Sequence, residues 1–455
     1  LSSNVATDDL TILGSGQPLD LPNEGRKNLA TPGGDQSEKA EAKLPHALNY
    51  YSLRDTARRR LPRGLFEYID RGAEDETSLV NNRRSLDNVR FQPRVLAGIT
   101  SRSQQTELLG YTLKHPLIVA PTAAAGLVWH KGELGLARAA AAAGIPFCAA
   151  MESIISIEEL AAATNGAIWL QLYVWRDHAL THELIGRAWS VGIETLVVTV
   201  DMAAIPKREY NSNNAFDVPI IPSLKGCWDI VRHPKWLFCV LLRHMLTEGM
   251  PIHANYPTRF RRSIFTSRSS GRIGFDLSLS WRDIGELRKR WPGRLVLKGI
   301  LDVEDARRAA EVGADAIVVS NHGGRNLDSA VSPVDVLPEI ADDVGGRMVV
   351  LADSGVRRGS DVVKLLALGA RAVLVGRAFL YGAASGGEAG AQSAIAMIGD
   401  EIDRTMALVG FRGVGEIKRS VLRTDFPLGR HAYHDALASG EETNKRESPS
   451  GDAND

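Results

Sequence analysis

Three regularities predict a closed (β/α)8, or TIM, barrel: eight short apolar runs, helix-forming segments between them, and glycines where those segments end. The runs cover residues 116–120, 146–150, 167–173, 195–201, 295–300, 316–321, 348–354 and 372–377. Each is nearly continuous in apolar residues rather than alternating, as expected of parallel strands covered on both faces. Segments rich in Ala, Leu, Glu and Arg predict helices over 131–143, 156–163 and 177–191 after the first three strands. Helices over 303–312, 334–342 and 358–368 follow the fifth, sixth and seventh. Gly144, Gly192, Gly313 and Gly369 each close a helix just before the next strand.

The chain has 455 residues, and its 44% hydrophobic content supports a large core. Lys plus Arg and Asp plus Glu both number 54, so no global charge points to nucleic acid. Cys148, Cys227 and Cys239 form no metal pattern, and a metal cofactor is not expected. Their scarcity implies a reduced, cytoplasmic setting. Residues 1–44 and 438–455 are polar and aperiodic and are expected to be disordered, leaving a barrel domain over 45–437. The first stretch lacks the apolar region of a secretory signal, and no run is long enough to span a membrane.

The rhythm breaks once, in a long insertion after the fourth strand, over 202–280. Within it, Trp236 to Leu242 is apolar and flanked by Arg232, His233, Lys235, Arg243 and His244. Two readings are open. The stretch is a helix capping the barrel, or, with the wider 225–250 region, an amphipathic patch that rests peripherally on the inner face of a membrane.

Active sites of such barrels collect at the C-terminal ends of the strands. Taken in order, the first end offers Ala120, Pro121, Thr122 and Ala123; the third Gln171 and Tyr173; the fourth Thr199 and Asp201; the fifth Lys298. The sixth carries Ser320-Asn321-His322-Gly323-Gly324-Arg325, a potential base three residues from a fixed cation. The seventh gives Asp353, Gly355 and Arg357, and the eighth Gly376 and Arg377. Each alone has an ordinary structural account: Asp201 as a cap, Lys298 in an ion pair, Tyr173 in the core. Their coincidence on one rim does not. The last two ends lie where these barrels bind phosphate, so a phosphorylated cofactor is expected.

These motifs, with Leu61-Pro62, Tyr68 and Gly72-Ala73-Glu74-Asp75, resemble the FMN-dependent L-2-hydroxy-acid dehydrogenases and oxidases over about residues 51–410. Lys131-Gly132-Glu133 and Ile402-Asp403-Arg404-Thr405 are most similar to the (S)-mandelate dehydrogenase branch. The resemblance implies FMN-dependent oxidation of an L-2-hydroxy acid, aromatic substrates included, to the 2-oxo acid. Electrons then pass to a quinone or oxygen, in a homotetramer. It further implies His322 as base with Asp201 as its partner, on either route, taking the proton from carbon or from the hydroxyl. Arg325, Arg208 and the Tyr68 hydroxyl would hold the substrate carboxylate, and Tyr173 the reacting oxygen. Lys298 would stabilise reduced flavin. Pro121, Thr122, Ala123, Gln171, Thr199 and Ser320 would contact its ring and ribityl groups; Asp353, Gly355, Arg357, Gly376 and Arg377 would take the phosphate end.

Two positions depart from the resemblance. Ala150 replaces a serine that contacts FMN, and Glu152 stands where glycolate oxidase lines its pocket with tryptophan. Glu152 is either turned to solvent or faces the distal end of the substrate, selecting a hydroxyl or amine. A barrel using FMN for non-oxidative isomerase chemistry is the alternative function. The His-Gly-Gly-Arg set and the lack of a cysteine near the sixth strand end argue against it.

Overall fold

The computed structural model describes residues 48–214, 216, 223–261, 263 and 274–424. Both terminal tails lie outside the described residues. The eight predicted runs form eight parallel strands closed into a barrel. They are β1 (Leu117–Val119), β2 (Phe147–Ala150), β3 (Ile168–Leu172), β4 (Thr195–Thr199), β5 (Arg294–Ile300), β6 (Ala316–Val319), β7 (Val349–Ala352) and β8 (Ala372–Val375). Closure is made by β8 on β1, with Val373 opposite Leu117. Six of the eight strands end one or two residues before the predicted runs do. Asp201, Ser320 and Ser354 therefore lie just beyond the strands, where backbone is free to turn side chains into a site.

Ile118, Cys148, Trp169, Val197, Val296, Val318 and Leu351 fill the barrel interior. Leu108 and Leu113 from a short antiparallel ribbon join them and stopper the end opposite the site. A second, larger core lies between strands and helices. All six predicted helices form, and four of them start on side-chain caps, at Ser156, Asp177, Asp302 and Ser332.

Several helices outside the predicted set complete the fold. Trp281–Arg290 precedes β5 and opens on a Ser280/Asp283 capping box. Arg377–Val409 follows β8, with a kink at Gly386 and Gly387. Tyr50–Arg60, Arg63–Asp70 and Thr77–Asn88 precede the barrel.

The insertion contains Glu209–Asn213, Leu224–Val231 and the consecutive helical pieces Pro234–Trp236, Leu237–Leu242 and Arg243–Thr247. Trp236 and Val240 are buried, and the Trp236 indole donates to the Leu127 carbonyl. That face caps the barrel. Phe238 and Leu246 on the other side, with Leu224, Trp228 and Val231 on the preceding helix, are exposed. The capping reading thus describes one face of this segment, and the other face is exposed.

Candidate active site

Above the C-terminal ends of the strands lies a cavity of about 1190 Å3. Every residue expected at the site lines it except Asp201 and Ser320, which stand directly behind the lining. Asp201 backs His322, whose Nδ1 lies 3.0 Å and 3.2 Å from the two carboxylate oxygens. Nδ1–H donates to Asp201, so Nε2 is the open ring nitrogen, 3.4 Å from the Tyr173 hydroxyl.

Burial depresses the His322 pKa, and the Asp201 carboxylate opposes this without cancelling it, so the ring is held neutral below its ordinary range. Burial would raise the Asp201 carboxyl, but His322 and then Lys298 outweigh it and hold Asp201 ionised. Burial, together with the charges of Glu152 and Asp201, pushes the Tyr173 phenol well up, leaving it a hydrogen-bond donor.

Two local backbone devices create this pairing. Gly299 interrupts the β5–β6 register with φ +111°, and a Cβ there would stand 2.6 Å from the Asp201 Cβ. Only glycine lets Asp201 approach. The turn after β6 then takes three successive left-handed residues, His322, Gly323 and Gly324, with φ of 58°, 66° and 71°. For histidine that conformation is strained, and it is held from several sides. The His322 amide donates to the Ser320 hydroxyl, the Gly323 amide to the Ser354 hydroxyl and the Gly324 amide to the Asn321 side chain. Asn321 exchanges paired amide bonds with Asn82 at 2.7–2.8 Å.

A positive cluster faces the imidazole. The Arg325 guanidinium donates to the carbonyls of Ile69 and Arg71 and lies 5.3 Å from the centre of the Tyr68 ring. Arg377 donates to the same two carbonyls and to that of Gly323. These acceptors lie at the C-terminal end of helix Arg63–Asp70, where unsatisfied carbonyls and the helix dipole favour cations. Arg208 donates to the Arg325 carbonyl. Among the described residues, neither Arg208 nor Arg325 has a carboxylate partner. Burial, then repulsion by Arg208 and Arg377, pushes Arg325 down to about 9, still cationic at neutral pH. Such an arrangement attracts an anion.

The opposite wall fits the flavin mononucleotide implied by the resemblance. Lys298, only 5% exposed, sits on its floor with Nζ 3.0 Å from Asp353 and 2.9 Å from the Ser320 hydroxyl. Burial would lower this ammonium, but Asp353 and then Asp201 more than compensate, so it stays charged. The Gln171 amide donates to the Thr199 hydroxyl beside it. Toward the outer end, Arg357 lies against Tyr50 and Tyr51 and donates to the Tyr51 hydroxyl. The wall thus runs from amide, hydroxyl and buried cation to an outer guanidinium, the polarity of a flat heterocycle followed by a phosphate. Ala150 is buried and brings no hydroxyl.

Several lining residues carried no signal in the sequence. His253 and Tyr256 reach the cavity because the insertion is stitched back onto the loop after β2. The Ala254 amide donates to the Ser153 carbonyl, and the Ile157 amide donates to the Asn255 side chain. Phe275 packs on Tyr173 at 5.1 Å, and Ser354 links Gly323 to Asp353.

The chain is similar to known proteins in sequence and in fold. The profile of FMN-dependent dehydrogenases matches residues 57–424. The (S)-mandelate dehydrogenase of Pseudomonas putida is 40% identical over 377 residues, which are 83% of this chain and 94% of that protein. An L-lactate dehydrogenase of Pseudomonas entomophila (strain L48) is 41% identical over 372 residues, 81% of this chain and 96% of that one. A crystal structure of the monotopic membrane protein (S)-mandelate dehydrogenase superposes with a TM-score of 0.76 at 39% identity, covering 83% of this chain and 99% of that chain. With a barrel, a cavity and a sequence match that agree along nearly all of its described length, the chain belongs to the FMN-dependent dehydrogenase family.

Proposed function

We propose that the protein is an FMN-dependent oxidoreductase that converts an L-2-hydroxy acid to the 2-oxo acid, with His322 as its base. The observation that carries this reading is a carboxylate-oriented imidazole facing two guanidinium groups that lack carboxylate partners among the described residues. Arg325 and Arg208, with the Tyr68 hydroxyl, bind the substrate carboxylate. The Tyr173 hydroxyl donates to the oxygen on C2. His322 Nε2 takes a proton while Asp201 stabilises the imidazolium that forms.

Bound FMN supplies the two-electron acceptor. Lys298 offsets negative charge at the cofactor wall. Pro121, Thr122, Ala123, Gln171, Thr199 and Ser320 hold the ring and ribityl groups, and Asp353, Gly355, Arg357, Gly376 and Arg377 the phosphate end. Curated relatives named for mandelate and lactate support the substrate class.

The decisive experiment is anaerobic bleaching of the yellow holoenzyme by a panel of aliphatic and aromatic 2-hydroxy acids, followed by reoxidation with oxygen or a quinone. Absence of bleaching by every acid refutes the reading.

The same proposal places the protein on the cytoplasmic face of a membrane, with quinone as acceptor. Among the described residues no helix is long and apolar enough to cross a membrane. Leu224, Trp228, Val231, Phe238 and Leu246 are instead exposed, on two neighbouring helical stretches that also carry Lys225, Arg232, Lys235 and Arg243. A relative of known structure is described as a monotopic membrane protein. Serine at these five apolar positions abolishes sedimentation with anionic vesicles; unchanged sedimentation refutes the assignment. Self-association into a homo-oligomer completes the proposal and is tested by light scattering.

A further inference from the structure

We propose that the far wall of the cavity selects 2-hydroxy acids whose side chain is aromatic and bears a hydrogen-bond donor, a hydroxyl or an ammonium, and that Glu152 binds that donor. The inference rests on the reading of His322, Arg208 and Arg325 as the hydroxy-acid end of the same cavity.

Glu152 follows β2 by two residues and is half-buried in the cavity wall. Its backbone is fixed: the carbonyl accepts from the Ala124 amide at 3.3 Å and from His253 Nδ1 at 3.1 Å. Its Oε1 accepts from the Tyr256 hydroxyl at 3.1 Å. Tyr256 is braced on both sides, stacked on His253 with ring centres 5.0 Å apart and edge-on to buried Trp175 at 5.4 Å. Among the described residues no cation pairs with the carboxylate, and Oε2 receives no hydrogen bond. Among the described residues Oε2 is therefore an acceptor without a protein partner, on a side chain that lines the cavity and is not sealed from solvent.

Water leaves when an aromatic group enters. The cavity that Glu152 lines has flat walls: Tyr256 on the carboxylate itself, Tyr173 against Phe275 at 5.1 Å, and Phe260. A plain ring there strips the carboxylate of solvent and returns nothing, which is costly for a charged acceptor. A ring with a donor restores the lost bond. A second carboxylate is repelled. Glu152 lines the same cavity as Tyr173 and His322, so one substrate can meet both ends.

The test compares four substrates of one scaffold, 2-hydroxy-2-arylacetates whose ring carries hydrogen, hydroxyl, aminomethyl or carboxylate at the distal position. Steady-state kcat/KM is measured with wild-type holoenzyme, Glu152→Leu and Glu152→Gln, each checked for FMN content. Wild type favours the hydroxyl or aminomethyl acid over the plain acid by about tenfold or more and disfavours the carboxylate. In Glu152→Leu the ratio falls to one or below. Glu152→Gln separates the two donors: a hydroxyl preference survives the amide, whereas an ammonium preference is lost with the charge. A ratio equal in wild type and Glu152→Leu overturns the proposal. If no acid bleaches wild-type flavin, it is the hydroxy-acid reading that fails, and this proposal falls with it.

Discussion

Replacing Asp201 by Asn tests the acid–base pair where its parts separate most cleanly. The substitution keeps the size of the side chain and removes one negative charge 3.0 Å from His322 Nδ1. A hydrogen bond to a charged group contributes about 1.5–3 kcal/mol. The imidazolium formed in the reaction loses that stabilisation, so flavin reduction slows by about 10- to 150-fold. The pH profile moves as well, and its sign is fixed. Burial lowers the His322 pKa and Asp201 opposes it, so loss of Asp201 lowers it further. In the proposed reaction the working base is the neutral ring. The acid limb therefore shifts to lower pH while the plateau falls. Stopped-flow bleaching of the flavin at saturating substrate, across the pH range, reads both quantities. An acid limb displaced upward, or a plateau equal to wild type, refutes the electrostatic account of the pair.

His322→Gln is expected to retain FMN and lose nearly all substrate-driven flavin reduction; wild-type-like bleaching contradicts the assignment of the base. Lys298→Met leaves the Asp353 carboxylate without its buried cation and lowers the unfolding free energy of the apoprotein by about 3–5 kcal/mol, measured by denaturant titration. Gly299→Ala forces a Cβ to within 2.6 Å of Asp201 and costs about 1–3 kcal/mol in backbone strain alone. It lowers flavin reduction, whereas Gly313→Ala, whose φ is +81° but whose nearest neighbour lies at 3.7 Å, costs stability without a change in the reaction. Equal rates in the two glycine variants contradict the steric argument.

The barrel was legible because parallel strands buried on both faces read as continuous apolar runs, and all eight had this form. Helix Trp281–Arg290 escaped notice because it buries only Ile284 and Leu287 and is otherwise charged. Helix Arg377–Val409 escaped because Ala and Gly dominate its first half and Gly386-Gly387 breaks its period. At the site, residues on strand ends were readable from topology alone. The direction of Arg377 was not, because two of its three acceptors lie at the end of a helix more than 300 residues earlier. Tyr256 and His253 were equally hidden. Their place depends on backbone bonds between the insertion and the loop after β2, which leave no local pattern.

The dependence of both Arg325 and Arg377 on the carbonyls of Ile69 and Arg71 has a consequence for how the molecule assembles. These bonds join segments separated by 254 to 308 residues. During synthesis the helix Arg63–Asp70 emerges early, yet its two guanidinium partners leave the ribosome only after six and eight strands have been made. The carbonyls of Ile69 and Arg71 cannot receive these bonds until the barrel strands are almost all made. The corner made by Arg325 and Arg377 thus cannot be complete before the eighth strand has been made, and a nascent chain halted before Arg325 lacks both guanidinium groups.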